Sequence, residues 1–272
     1  MFGKSILTNK GVFVMFENKV ILISVDGMRP DGFLNCGNPY IHEMMAKSFY
    51  TLDGRTVLPS MTLPCHMSLF HSVPPQRHGI TTNTYFPMAR PLNGLFEQLH
   101  LAGAVNAMYY GWEPLRDISQ PKSLTYAEYL HARSEDDVDT QLTDSALARI
   151  AKSKPDFVFL YLVDTDEKGG HDNMWMSDEY LRRISVALDN VRRVVDACGD
   201  EYTIIVTADH GGHDRTHGTD LPEDMTIPMF YFGKTFPAGQ RFAGGSIMDI
   251  APTIAKLMGV YPAPEWEGKS IV

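Results

Sequence analysis

The stretch KVILISVD at residues 19–26 is a short run of β-branched and aliphatic residues that ends in an aspartate. The same design recurs in DFVFLYLV (156–163) and in YTIIVTA (202–208). Each run is apolar on both faces, which is typical of a central strand in a parallel sheet that helices cover. Aspartates stand at or just beyond the end of all three runs: Asp26, Asp164, Asp166 and Asp209.

Helical patterns alternate with these strands, at 140–153, 177–198 and 248–259. A further helix pattern at 91–103 is followed by the apolar run AVNAMYY. This alternation predicts an α/β fold, doubly wound, with a mostly parallel central sheet and helices on both faces. We expect residues 1–18 to form an N-terminal extension and residues 19–272 to form a single domain.

The composition limits the classes of partner. A net charge of −9 argues against a nucleic-acid polymer or an anionic membrane surface, but not against a small anionic substrate beside bound cations. Three cysteines form neither a zinc-type spacing nor a disulfide framework, which suits a reducing compartment. The N-terminus is a poor signal peptide, and no apolar run approaches the ~20 residues that span a bilayer. We therefore predict a cytoplasmic protein and leave its oligomeric state open.

The strand ends predict a metal site. Carboxyl ends of parallel strands meet at one edge of the sheet, where ligands bind in such folds. Histidines accompany two of these ends, in VTADHGGHDRTHG (206–218) and in DEKGGH (166–171). Carboxylate oxygens and imidazole nitrogens together suit two divalent metal ions, zinc by ligand type, with manganese as the alternative.

Two sets of ligands can be assembled from these residues. The first is Asp26, Asp209 and His210, and the second is Asp166, His171 and His217. Asp164 is the alternative to Asp166, or else a turn residue at the end of its strand. His213 and His217 are four residues apart, but three neighbouring glycines make a helix there improbable. We expect His217 to bind the metal and His213 to support the structure around it.

A nucleophile candidate lies in PSMTLPCHMSLF (59–70), where Thr62 stands at the predicted start of a short helix. On these residues alone, an N-cap is the simpler interpretation of this threonine. The alternative is that Thr62 is the nucleophile. Backbone N–H groups at a helix N-terminus favour a phosphate, and a nearby metal would activate the hydroxyl.

Five segments in order carry a family resemblance: ISVDGMRPD, PSMTLPCHMSLFHSVPPQRHGITTN, DEKGGHDNMWMSDEY, TADHGGHDRTHGTDLPEDMTIPMF and DIAPTIAKLMGVYPAPEWEGKSI. From about Lys19 onward the chain resembles the nucleotide pyrophosphatase/phosphodiesterase branch of the alkaline phosphatase superfamily. The resemblance implies a two-zinc hydrolase whose nucleophile-side metal is held by Asp26, Thr62, Asp209 and His210. It assigns the other metal to Asp166, His171 and His217. It also implies that Asn83, with the Leu63 N–H, holds a non-bridging phosphate oxygen.

The implied activity is cleavage of phosphodiester or nucleotide pyrophosphate bonds in a small phosphate ester, through a phospho-threonine at Thr62. The alternatives are a phosphomonoesterase, a phosphonate hydrolase, a sulfatase, or a non-catalytic metal-binding relative. We favour diesters because no arginine or lysine closely follows Thr62, although His66, Arg29 or Arg90 would supply a cation if they reached the site. An apolar rim of Met174, Trp175 or Tyr85 would suit the second ester group.

Two departures from the family pattern stand out. The family spaces the aspartate and histidine of the second-metal loop four residues apart, whereas Asp166 and His171 are five apart. Large cap insertions are missing, or reduced to parts of 84–139.

Overall fold

The strands form two sheets in the computed structural model, which describes residues 4–8, 11–134 and 136–272. Their bounds are β1 Lys4–Thr8, β2 Gly11–Met15, β3 Lys19–Val25, β4 Phe49–Arg55, β5 Asn106–Tyr110, β6 Tyr126–Tyr129, β7 Phe157–Leu162, β8 Tyr202–Thr207 and β9 Thr226–Phe232. β1 and β2 pair as an antiparallel hairpin within the predicted extension 1–18. Residues 1–3 and 9–10 of that extension lie outside the described part.

The central sheet has the strand order β4-β9-β8-β3-β7-β5-β6. β8, β3, β7, β5 and β6 run parallel, and β9 runs antiparallel to both of its neighbours, β8 and β4. The three strands predicted from the sequence are therefore neighbours, and Ser24 of β3 pairs with both Tyr161 and Thr207. This register aligns the carboxyl ends of the three strands, so the aspartates that follow them share one edge of the sheet.

The helices are α1 Pro30–Asn35, α2 Tyr40–Lys47, α3 Thr62–His71, α4 Pro75–His78, α5 Leu95–Leu101, α6 Val138–Ser153, α7 Asp178–Cys198, α8 Pro222–Met225 and α9 Ile250–Leu257. Short 3₁₀ turns cover Glu113–Ile118 and Ile247–Asp249, and a π-helical turn covers Thr165–His171. α7 begins where the Ser177 side chain accepts the Tyr180 N–H, as its sequence predicts. Among the described residues, none of the helices combines the length and the apolar character that a bilayer crossing requires.

Helices pack in two groups. α1, α2 and α6 all contact α7, while α3, α5 and α9 contact one another. Between α3, α5 and the sheet, Phe70 stacks on Phe96 with ring centroids 4.8 Å apart and meets Phe159 edge-on. The predicted doubly wound, mostly parallel architecture is confirmed. Within 84–139, to which any reduced cap was assigned, α5, β5 and β6 belong to the main fold.

Candidate metal centre

The carboxyl edge of β7, β3 and β8 carries three buried aspartates. Asp26 directly follows β3, Asp209 lies two residues beyond β8, and Asp166 lies in the π-helical turn after β7. Their exposed fractions are 1%, 0% and 5%. Three carboxylates buried this close to one another require compensating positive charge.

The first cluster consists of Asp26, Asp209 and His210. His210 Nε2 lies 3.3 Å from Asp26 Oδ1 and 3.4 Å from Asp209 Oδ2. One ligand atom from each residue lies within 4.8 Å of the others. The Thr62 hydroxyl adjoins this cluster, with Oγ1 3.2 Å from His210 Nε2.

The second cluster consists of Asp166, His171 and His217. Asp166 Oδ2 lies 3.4 Å from His171 Nε2, and Asp166 Oδ1 lies 3.8 Å from His217 Nε2. The rings of His217 and His210 stack with centroids 3.8 Å apart. The two clusters are therefore neighbours, as a two-metal site requires.

The π-helical turn at Thr165–His171 accommodates the extra residue in the second-metal loop. A π-helix joins residue i to residue i+5, whereas an α-helix joins i to i+4. Asp166 and His171 are five residues apart, so the wider turn brings their side chains together. The departure from the family spacing thus leaves the pair of side chains intact.

The histidine tautomers provide a test of whether these residues fit metal ions. The Nδ1 atom of His210 lies 2.8 Å from the Gly211 carbonyl oxygen. That of His217 lies 2.9 Å from the Ser60 carbonyl oxygen. That of His171 lies 2.9 Å from the Arg215 carbonyl oxygen. Because a carbonyl only accepts hydrogen bonds, each Nδ1 carries the proton and each Nε2 presents a lone pair.

Those lone pairs face carboxylate oxygens, which are also acceptors. Asp26 Oδ1, Asp166 Oδ1 and Asp209 Oδ2 are buried and make no hydrogen bond within the described part of the chain. A divalent cation placed between these atoms accepts electron pairs from the imidazole nitrogens and from the carboxylate oxygens. Three imidazoles and three carboxylates are ligand types that such cations bind. The residues present therefore fit two metal ions.

The electrostatics of the two clusters agree with this interpretation. Burial, with repulsion from Asp166 and Asp209, raises the pKa of Asp26 well above its usual range. Burial also raises the pKa of Asp166 to about 6. Conversely, burial lowers the pKa of His210 and that of His217, so both imidazoles are neutral near pH 7. Neutral imidazole is the form that binds metal.

The sequence leaves open whether Asp164 and His213 bind a metal. In the structure both side chains contact residues outside the two clusters. Asp164 lies 3.0 Å from Lys168 Nζ and 3.3 Å from Arg183 Nη1, so the structure brings Asp166 rather than Asp164 to the histidines. His213 Nδ1 lies 2.7 Å from the Asp224 carboxylate, which also accepts the Thr219 N–H. This pair ties together the loop that carries His210 and His217.

Thr62 is not an N-cap, so the simpler interpretation of it is wrong. α3 begins at Thr62 itself, and its N-cap is Met61, which makes no side-chain cap bond. The Thr62 hydroxyl turns to His210 instead. Beside it, Asn83 Oδ1 accepts the Leu63 N–H at 3.0 Å, which leaves the Asn83 amide N–H groups for another acceptor.

Tyr161 was missed by the sequence argument. Its buried hydroxyl donates a hydrogen bond to Asp26 Oδ2, which leaves Oδ1 facing His210. Its ring meets His66 edge-on, with centroids 5.2 Å apart. An aromatic residue in a buried strand looks like core in the sequence, and only the pairing of β7 with β3 shows that it reaches a metal ligand.

Trp175 corrects the expectation of an apolar rim. It is only 4% exposed, and its indole N–H donates to the Gly27 carbonyl at 3.0 Å. A Cβ on Gly212 would lie 2.2 Å from its ring, so the glycine is required for this packing. Trp175 therefore supports the metal loops from behind, while Met174 is 44% exposed and Tyr85 lines a separate cavity.

Two family models match the chain. A family model described as the metalloenzyme superfamily matches residues 106–262, and one for type I phosphodiesterase/nucleotide pyrophosphatase matches residues 20–120. Among solved structures, murine ectonucleotide pyrophosphatase/phosphodiesterase 5 superposes with a TM-score of 0.77 at 15% identity, over 93% of this chain and 98% of that one. This likeness shows a shared fold.

Curated relatives match over part of their length. The chain is 27% identical over 139 residues to a 2,3-bisphosphoglycerate-independent phosphoglycerate mutase from Methylobacillus flagellatus, covering 48% of this chain and 26% of that protein. It is 29% identical over 147 residues to a phosphopentomutase from Clostridium kluyveri, covering 54% and 36%. The chain thus spans about a quarter to a third of the length of these relatives. It belongs to the metalloenzyme superfamily, and its resemblance to the nucleotide pyrophosphatase/phosphodiesterase branch of the alkaline phosphatase superfamily is confirmed.

Proposed function

We propose that the chain hydrolyses phosphodiester or nucleotide pyrophosphate bonds of small phosphate esters, with Thr62 as nucleophile. The position of its hydroxyl is the observation that carries this proposal. Thr62 Oγ1 lies 3.2 Å from His210 Nε2, beside Asp26 and Asp209, on the first residue of a helix and with no capping role. A buried hydroxyl placed among metal-type ligands is the arrangement of an activated nucleophile.

Asp26, Asp209 and His210 would hold one ion beside Thr62, and Asp166, His171 and His217 would hold the other. The mixed oxygen and imidazole donors favour zinc, with manganese as the alternative. Two such ions supply Lewis acidity, which lowers the pKa of a coordinated hydroxyl and neutralises charge on the phosphoryl group.

The chain's own groups perform the rest of the reaction. Thr62 Oγ1 attacks phosphorus, the bond from phosphorus to the leaving oxygen breaks, and the threonine proton is transferred to the leaving oxygen, which departs as an alcohol. The retained ester group stays on the phosphoryl-threonine. A water oxygen then attacks phosphorus, the bond from phosphorus to Thr62 Oγ1 breaks, and one proton of the water returns to Oγ1 while its hydroxyl stays on the released monoester. The Asn83 amide, held by the Leu63 N–H, would donate to a non-bridging oxygen during both steps.

Diesters are favoured because two of the three cations suggested by the sequence, His66 and Arg29, are engaged in other contacts. His66 is buried, its Nδ1 donates to the Thr62 carbonyl at 2.8 Å, and burial lowers its pKa. Arg29 binds Asp31 and the Gly212 carbonyl. Arg90 is exposed. The additional charge of a monoester would therefore lack a cationic partner from His66 or Arg29.

Nucleotides are a reasonable starting point for the substrate. A structure of the murine relative is described as an inactive threonine-to-alanine variant in complex with AMP. That description supports both a threonine nucleophile and a nucleotide-sized substrate for this chain.

A hydrolysis panel tests the proposal, using aryl diesters, dinucleotides, monoesters, sulfates and phosphonates with added zinc or manganese. Thr62→Ala should lose roughly a thousandfold or more in kcat/KM on diesters while keeping both ions, because the nucleophile is absent. Thr62→Ser should retain part of the activity, since it keeps the hydroxyl. Near wild-type turnover by Thr62→Ala, with metal bound, would show that Thr62 is not the nucleophile.

A further inference from the structure

A second cavity, of about 410 Å³, lies beside the C-terminal half of α3. Its walls come from α3, from the loop after Asn83 and from the segment after the first 3₁₀ turn. The lining includes Met67, His71, Tyr85, Met88, Leu92 and Ile118. None of its lining residues belongs to either metal cluster, and its volume suits a small organic molecule.

His71 is the polar group that faces this cavity. It is 3% exposed, and its Nδ1 lies 3.0 Å from the Met67 carbonyl. Because that carbonyl can only accept, Nδ1 carries the proton and Nε2 presents a lone pair. Burial lowers the pKa of His71, so the imidazole is neutral.

Nε2 of His71 makes no hydrogen bond within the described part of the chain, unlike two neighbouring histidines. His66 Nε2 lies 3.1 Å from the Ser24 hydroxyl, and His78 Nε2 lies 3.0 Å from the Ser68 hydroxyl. In both histidines a serine hydroxyl is therefore the hydrogen-bond partner of Nε2. His71 itself lines the cavity, and an imidazole nitrogen with an unused lone pair at a cavity wall favours a hydrogen-bond donor.

Two carboxylates lie at or next to the cavity wall. Glu97, 6% exposed, accepts the Gly94 N–H at 2.9 Å and the Gln120 N–H at 2.7 Å. Asp117 lines the wall directly. The exposed side chain of Arg116 pairs with it, with Nε 3.6 Å from the Asp117 carboxylate. An acceptor nitrogen beside two carboxylates disfavours an anion, and the methionine, leucine and isoleucine walls favour an apolar body.

We propose that this cavity is a binding site for a small apolar molecule that carries a hydroxyl or ammonium group, which donates to His71 Nε2. The site is separate from the proposed reaction centre and does not depend on the proposed function. It shares α3 with Thr62 and adjoins the loop that begins at Asn83.

Nuclear magnetic resonance on the full chain tests the site with three matched probes: benzyl alcohol, toluene and benzoate. Long-range proton–nitrogen spectra report the His71 Nε2 shift directly, with the resonance assigned by its loss in His71→Phe. Benzyl alcohol should move this resonance and bind about tenfold more tightly than toluene, the value of one hydrogen bond to a buried acceptor. Benzoate should bind more weakly than either.

Two variants separate the parts of the proposal. His71→Phe should abolish the advantage of benzyl alcohol over toluene, and Leu92→Trp, which fills the cavity and keeps His71, should prevent binding of both. The proposal is overturned if toluene binds as tightly as benzyl alcohol, if the Nε2 resonance of His71 does not move, or if none of the probes binds up to its solubility limit. The relative affinities of benzyl alcohol and toluene for the wild type decide the proposal even if His71→Phe fails to fold.

Discussion

Replacing a proposed metal ligand, Asp166→Asn, should stabilise the metal-free protein. Asp166 is 5% exposed, and its Oδ1 makes no hydrogen bond within the described residues. Burial raises its pKa to about 6, compared with about 3.9 for an unperturbed aspartate. In the chelated protein this carboxylate is therefore a cost to folding, whereas asparagine has no charge to bury and can donate to His171.

The magnitude follows from proton linkage. Because the pKa is raised in the folded state, the cost is absent below about pH 4, grows as the pH rises, and is complete above about pH 6. A pKa difference of about 2 corresponds to about 3 kcal/mol. At about pH 7.5 the chelated variant should thus gain up to about 3 kcal/mol in unfolding free energy over the chelated wild type, and the gain should vanish near pH 4.

Urea denaturation of both chelated proteins across this pH range measures the difference. Asp224→Asn is the matched control. Burial raises the pKa of Asp224, but hydrogen bonds from His213 and Thr219 outweigh burial and lower it, so this variant should lose stability. With saturating zinc the order should reverse for Asp166→Asn, because it has lost a ligand of the second ion. A chelated Asp166→Asn that is less stable than wild type at neutral pH would refute this reasoning.

Three further predictions concern the loaded protein. Metal analysis should find two ions per wild-type chain, and chelation should abolish turnover; full activity in metal-stripped protein would contradict the assignment. Tyr161→Phe should weaken binding of the Asp26-side ion by roughly 10- to 100-fold in chelator competition, because Asp26 loses the hydroxyl that orients it. Tyr231→Phe, which removes a buried hydroxyl on β9, should leave the affinity unchanged. For matched aryl esters, kcat/KM should favour the diester; a tenfold monoester advantage, about 1.4 kcal/mol, would show a cation at the site that the structure does not place there.

The sequence predicts much of this architecture because hydrophobic runs and strand ends are local signals. β3, β7 and β8 are recognisable as continuous apolar runs, and parallel strands bring their carboxyl ends together whatever the order of the remaining strands. The carboxyl ends of the strands meet at one edge of the sheet. This edge and the family pattern together predict the grouping of Asp26 with Asp209 and of Asp166 with His217. The structure places these side chains in the expected clusters.

Other features depend on register and on backbone detail that local patterns do not encode. Tyr161 reaches Asp26 only because β7 pairs with β3 in one particular register. The choice of Asp166 over Asp164 depends on a π-helical turn, which has no recognisable sequence pattern of its own. Trp175 reads as an exposed apolar residue in a polar segment, yet the glycines around it create the space in which it is buried.

Trapping the covalent intermediate tests the central claim most directly. The metal-loaded protein is mixed with an aryl phosphodiester, quenched in acid during turnover, digested and examined by mass spectrometry. The account predicts that Thr62 carries the aryl phosphoryl group, that the adduct disappears as substrate is exhausted, and that chelated protein and Thr62→Ala lack it. Turnover with the adduct on another residue, or continued turnover by Thr62→Ala at the wild-type rate, would contradict the account.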